Sequence, residues 1–223
     1  VMLVVAVPTM VAGMRFARQG SVRGLFAWLG ALAYLLYNAV LLLFGTPFNQ
    51  LFLLYVGILG LSLAGTIALL VSTDVRALAD RLSGAPARGI AVFIWVIAGG
   101  NALVWLRQVV LGMGSDGPPA FLDGTGLTTN PIYIEDLAFW LPLAGLGALW
   151  LWRRAPWGYL ISGGLLGLWL IEGIGVATDQ WFGTHADPTS AVASMAGVYL
   201  FVVVAVVNAV AMGLFLRRVR PAG

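Results

Sequence analysis

Six stretches of this chain, residues 24–44, 47–71, 89–112, 131–152, 157–178 and 189–216, each run for more than twenty residues on mostly apolar side chains. No other feature constrains the fold as much. At about 1.5 Å rise per residue, some twenty helical residues cross roughly 30 Å of hydrocarbon. A spanning segment must satisfy its own backbone polar groups there, and runs of this length do so as helices. A seventh run, residues 1–14, is shorter and reaches Ala17 if Arg15 extends its guanidinium to the headgroups. In a secretory signal the charge precedes the apolar stretch; here it follows. The expectation is an all-α protein, one transmembrane domain over residues 1–223, built as a bundle of seven helices.

Composition agrees and excludes several chemistries. Hydrophobic residues make up 61% of the chain and charged residues 9%, against about 25% charged in an average soluble domain. There is no cysteine, so disulfides, thiolate metal sites and thiol catalysis are excluded. A single histidine, His185, supplies no ligand set for a transition metal. All twelve basic residues are arginine, which removes any lysine Schiff base. No cofactor or metal is expected. The net charge of +3 comes from arginines in short connections, a membrane pattern, so no nucleic-acid partner is expected.

Those arginines set an orientation. Connections 15–23, 72–88 and 153–156 and the tail after 216 hold eleven of the twelve; connections 45–46, 113–130 and 179–188 hold none. The positive-inside rule places the first set in the cytoplasm. The N-terminus is then outside and the C-terminus inside.

The connections carry smaller signals. Residues 72–88 can form a short amphipathic helix with Val75, Leu78, Ala79 and Leu82 on one face. The outer segment 113–130 is turn-rich and reads as a lid or a tether. Asn130–Pro131 reads as an N-cap with proline at the first helical position. Trp140, Trp150, Trp152, Trp157 and Trp181 read as an aromatic belt. Gly158 with Ser162, and Gly163 with Gly167, share a face and permit close helix contact. Phe44-Gly45-Thr46 recurs as Phe182-Gly183-Thr184, a faint trace of a parallel duplication.

The buried polar groups gather at one depth. Counting from the outer helix ends at about 1.5 Å per residue, Glu172, Arg107 and Asn38 lie roughly 7–10 Å down, and Glu135 with Asp136 roughly 6–8 Å. Asn101 and Asn208 lie deeper. Ionised groups in hydrocarbon cost several kcal/mol, about 2.5–3.5 on insertion scales, and usually face a bundle interior or a water-filled cavity. Arg107 is the one arginine outside the inward bias, so it is expected to pair with Glu135, Asp136 or Glu172. Adjacent residues point in different directions, so only one of Glu135 and Asp136 is expected at the centre. Glu172, seven residues before Asp179, lies where the helix dipole disfavours a carboxylate. It is expected to line a polar pocket open to the outer side. The candidate substrate- or ion-binding set is therefore Glu172, Arg107, Glu135, Asp136 and Asn38. No catalytic residue is assigned.

Three functional classes fit: a small transporter or channel-like protein for a small solute or ion, an accessory subunit or receptor for a membrane partner, and a membrane enzyme acting on an apolar substrate. HExxH, GxSxG and CxxC motifs are absent, which weighs against the enzyme. The partners expected are the lipid bilayer and another membrane chain or second copy. Seven helices with an outside N-terminus resemble rhodopsins and sugar-transporting SWEET proteins in topology alone. The missing lysine excludes the first, and the proline-glutamine motif of the second is absent. The segments LYNAVLLLFGTPFNQLFLLYV, GLTTNPIYIEDLAFWLPL and IEGIGVATDQWFG resemble polytopic membrane proteins of high-GC bacteria that have no assigned activity. That resemblance implies a multi-pass protein of the inner membrane and assigns no functional residue.

Overall fold

The computed structural model describes residues 1–189 and 192–220. Residues 190–191 of the expected run 189–216, and 221–223 at the end of the expected domain, lie outside the described residues. The described chain is all helical. Helix α1 spans Val7–Arg18 after a π-helical turn at Met2–Ala6. It is followed by α2 (Val22–Phe44), α3 (Phe52–Ser72), α4 (Val75–Arg81) and α5 (Ala87–Met113). The last three are α6 (Pro131–Trp152), α7 (Pro156–Ala186) and α8 (Met195–Leu216). Six of these, α2, α3, α5, α6, α7 and α8, are long and apolar enough to cross a membrane. They mark the chain as a multi-pass membrane protein. The first helix is shorter than those six even with its π turn.

Local chemistry sets the boundaries. Ser21 caps α2 by accepting from the Gly24 N–H. Asp74 caps α4 by accepting from Arg76 and Ala77, and Asn130 caps α6 by accepting from Ile132 and Tyr133, with Pro131 at the first helical position. The amphipathic reading of residues 75–82 holds. Leu78 and Leu82 are buried, while Arg76 and Asp80 are exposed.

Helices α2 and α7 form the centre. A Cβ on Gly30 would meet the Gly167 backbone at 2.7 Å, and one on Gly163 would strike the Phe26 ring. Gly158 lies against the Trp150 and Leu151 backbone, closing the α6–α7 hairpin, and the Ser162 hydroxyl donates to the Gly147 carbonyl at 3.4 Å. The small residues thus perform the packing role expected of them. Around this pair, α1 and α3 pack on α2, α8 packs on α7, and α5 packs on α6.

The arginine-bearing connections converge at one end. Arg81 donates to the Gly20 carbonyl at 2.7 Å and to the Arg220 carbonyl at 3.2 Å, and the Arg220 N–H donates back to the Arg81 carbonyl at 2.9 Å.

One connection is a helix rather than a loop. Residues expected in connection 179–188 continue α7 to Ala186, so Phe182-Gly183-Thr184 is helical and does not match the helix-ending Phe44-Gly45-Thr46. Thr178 and Thr184 donate to carbonyls four residues back, and Gln180 bonds to Val192 and Ser194. Polar residues mark where a helix leaves the apolar layer, and a helix does not have to end there.

Candidate functional site

The polar layer is built from α2, α5, α6 and α7. Its centre is a π-helical turn, Asp136–Trp140, inside α6. A π turn inserts an extra residue into the helical register and is frequent at functional sites. Here it brings Trp140 beside Glu135, five residues earlier, and the indole N–H donates to Glu135 Oε2 at 3.1 Å. The other oxygen, Oε1, is buried with no hydrogen-bond partner among the described residues.

Asp136 is held by two donors. Trp105 Nε1 donates to Oδ2 at 2.7 Å and Asn101 Nδ2 at 3.4 Å. These two side chains lie one turn apart on α5, so one face of α5 serves one carboxylate. Tyr37 of α2 lies beside the same carboxylate. The Tyr133 ring packs tilted against Trp105 at 4.4 Å between centroids, and Phe121, from the loop after α5, packs tilted against Tyr133 at 5.0 Å. The long outer segment therefore covers the Asp136 donor set with an aromatic pile.

Glu172 belongs to the α2–α7 seam. Asn38 Nδ2 donates to its Oε2 at 2.9 Å and to the Tyr34 carbonyl at 3.1 Å. The flanking glycines admit neighbours closely: a Cβ on Gly173 would meet Ala205 of α8 at 3.1 Å, and one on Gly175 would meet the Tyr34 hydroxyl at 3.2 Å. Both therefore admit helices at these positions.

The candidate residues thus fall into two groups. Asn38 meets Glu172 directly, and Tyr37, the residue before it on α2, lies beside Asp136. Arg107 stands apart. It is exposed, and no ion pair within 4.0 Å joins it to a carboxylate among the described residues. The expected pairing is corrected by helix geometry. Asn101 and Trp105 turn one face of α5 to Asp136, and Arg107 lies two residues, or about 200°, further round.

Two other expectations change. Glu135 and Asp136 are both buried, at 4% and 6% exposed, because α6 is covered on two sides, by α2 and by α5. Glu172 is fourteen residues before the end of α7. The dipole acts only over the last turn and places no penalty there. Clefts of about 400 and 380 Å³ lie elsewhere on the molecule, and neither is lined by any of the five candidate residues. The larger is an apolar groove between α7 and α8. The smaller lies at the arginine end.

His185 is on α7, its Nδ1 at 2.7 Å from the Trp181 carbonyl and its ring against Trp181. No group of three or more His, Cys, Asp or Glu among the described residues converges to hold a metal ion. Sequence reasoning passed over Tyr37, Trp105 and Trp140 as site residues. The four-residue spacing of Asn101 and Trp105 was the available signal for one of them. Nothing in the sequence announces the π turn that recruits Trp140.

No protein-family model matches the chain, and neither characterised proteins nor solved structures show a similar one.

Proposed function

We propose that this protein is a small transporter of an inner (plasma) membrane, seven-helical with its arginine end cytoplasmic, whose carboxylate layer takes up and releases protons to couple movement of a small solute or ion. One observation carries the reading. Glu135 and Asp136 on α6 and Glu172 on α7 share a layer without a guanidinium, and Glu135 Oε1 has no partner among the described residues. Negative charge in a water-poor bundle needs a proton or a cation beside it. The carboxylates do not converge as metal ligands do, which favours the proton.

The donors are arranged for such a role. The Asn38 amide donates to Glu172, and Tyr37, the preceding residue on α2, lies beside Asp136. In this proposal rotamer changes at Tyr37 and Asn38 carry a hydrogen bond between the two carboxylates. Reconstitution into vesicles with an internal pH dye tests the idea. Proton flux under an imposed gradient is expected, and it should fall at least about tenfold in Glu135→Gln and Asp136→Asn, as general acid–base roles do. Flux unchanged in both variants, or absent from the parent, would remove the proposal.

A second reading has its own observation. Only 11% of the α3 span is buried, and α3 packs mainly on α2. Leu53, Leu61 and Val71 on it are widely exposed. An accessory subunit or receptor would cover such a helix with a second membrane chain. Cross-linking from cysteines placed on that face in native membranes, with a shifted band as the expected product, decides for that reading.

A further inference from the structure

The cleft at the arginine end is independent of the carboxylate layer. Arg76, Asp80 and Ser83 line it from α4 and the turn after it; Arg154 and Tyr159 line it from the other side, where the chain turns from α6 into α7. Its volume, about 380 Å³, suits a small polar headgroup. Neither guanidinium has an ion-pair partner within 4.0 Å among the described residues.

Two observations point to a ligand. Tyr159 is only 3% exposed, with its ring stacked near Phe215 at 6.3 Å. Its hydroxyl has no hydrogen-bond partner among the described residues and opens on the cleft. The ring is buried while the hydroxyl stays accessible at the cleft, where it is free to donate to a ligand. The second is Arg154 itself, the one non-glycine residue with positive φ, +56°, among those described. Arg154 N–H donates to the Leu151 carbonyl at 2.9 Å, and Ala155 N–H to the Trp150 carbonyl at 2.8 Å. These two bonds form a Schellman motif, whose left-handed position ordinarily takes glycine. Arginine there carries backbone strain and gains nothing inside the turn. What it adds is a guanidinium at the cleft.

The depth indicates the kind of ligand. Trp152 and Trp157 flank the turn, both part-exposed, and Arg88 sits over the Trp152 ring at 5.4 Å. Tryptophan and arginine together mark the headgroup layer. We propose that this cleft seats the phosphate of a phospholipid headgroup. Arg76 and Arg154 hold its oxygens, the Tyr159 hydroxyl donates a third bond, and Asp80 and Ser83 face the hydroxyl or ammonium beyond the phosphate. Arginine suits this role because its planar fork matches two phosphate oxygens at once.

The test uses the full chain in detergent, titrated separately with phosphatidylglycerol, phosphatidylethanolamine and inorganic phosphate, and followed by melting temperature and by native mass spectrometry. Phospholipid should raise the melting temperature of the parent. Tyr159→Phe and Arg154→Gly should each weaken that response about tenfold in lipid concentration, the loss of one hydrogen bond to a charged group. Arg154→Gly carries the decisive contrast. Glycine relieves the positive φ, so the lipid-free variant should melt no lower than the parent while binding less. Arg217→Gln, outside the cleft, should bind as the parent does. A response to inorganic phosphate alone, lost in Arg154→Gly, would keep the site and assign it a soluble phosphate ligand. Equal loss in Arg217→Gln, or undiminished binding in both cleft variants, would overturn the proposal.

Discussion

Helices α7 and α3 are both long apolar spans, yet 67% of α7 is buried and only 11% of α3. Hydropathy does not explain the difference, since α3 is the more apolar of the two. Across the bundle the three most apolar spans, α3, α5 and α8, are also the three least buried. In water this order would be reversed. In lipid the tails are as apolar as leucine, so apolarity alone draws no helix inward. What separates the two helices is what a neighbour can approach. On α7, Gly158, Gly163 and Gly167 admit the backbone or ring of another helix; beside Gly57 and Gly60 of α3 nothing lies within 4 Å. The centre of this protein is placed by absent side chains and a few hydrogen bonds.

That contrast is easiest to break at its glycines. Gly158→Ala sets a methyl group against the Trp150 and Leu151 backbone, which cannot rotate away. It should cost about 3 kcal/mol, in the upper part of the range for overpacking, and lower the melting temperature in detergent clearly. Gly60→Ala should be neutral or stabilising by about 0.5–1 kcal/mol, since the position is open and glycine is a poor helix former. Equal effects at the two positions would mean that α7 is not held by close approach.

The polar layer gives the next contrast, between a residue that is held and one that is not. Trp105→Phe removes the 2.7 Å bond to Asp136 and should cost about 1–3 kcal/mol, since a buried acceptor loses a donor. Arg107→Gln, on the same helix but exposed and unpaired, should stay within about 0.5 kcal/mol. A larger loss at Arg107 would restore the ion pair that the sequence led one to expect.

The smallest effect belongs to Asp187, beyond the end of α7. It accepts from the Thr189 hydroxyl at 2.7 Å and from the Thr189 N–H at 2.9 Å. The hydroxyl bond first, and the backbone bond second, hold its carboxyl below the ordinary aspartate value. A depressed carboxylate contributes stability above its unfolded pKa and loses it as pH falls through the folded one. Thr189→Val keeps the backbone bond and should therefore reduce a slight slope of stability on the acid side of the ordinary aspartate range, with melting at neutral pH almost unchanged. A steeper slope in the variant would reverse the assignment.

Much of this was legible in the sequence. The six long spans follow from run length. The amphipathic face of α4 and the Asn130–Pro131 start of α6 follow from local pattern and capping chemistry. Asn38 and Glu172 meet because both lie at one depth, and depth is countable along a helix. Direction around the helix is not countable in the same way. Arg107 shares that depth and faces elsewhere. The indoles of Trp105 and Trp140 reach inward to carboxylates, although Trp140 reads as a belt residue. The π turn at Asp136–Trp140 changes which residues align, and no residue type marks it in advance. The end of α7 was misplaced for a simpler reason. Asp179, Gln180 and His185 are polar because they leave the apolar layer, and in a sequence that polarity looks the same as a chain break.

The clasp between Arg81 and Arg220 bears on how the protein is made. Its partners are 139 residues apart in sequence, and the last helix, α8, lies between them. At a synthesis rate of about 5–20 residues per second, roughly 7–28 s separate the emergence of Arg81 from that of Arg220. During that interval the Arg81 carbonyl at the end of α4 lacks the Arg220 N–H that it accepts from in the finished fold. The clasp closes only after α8 has been synthesised, so it is among the last long-range contacts the chain can make.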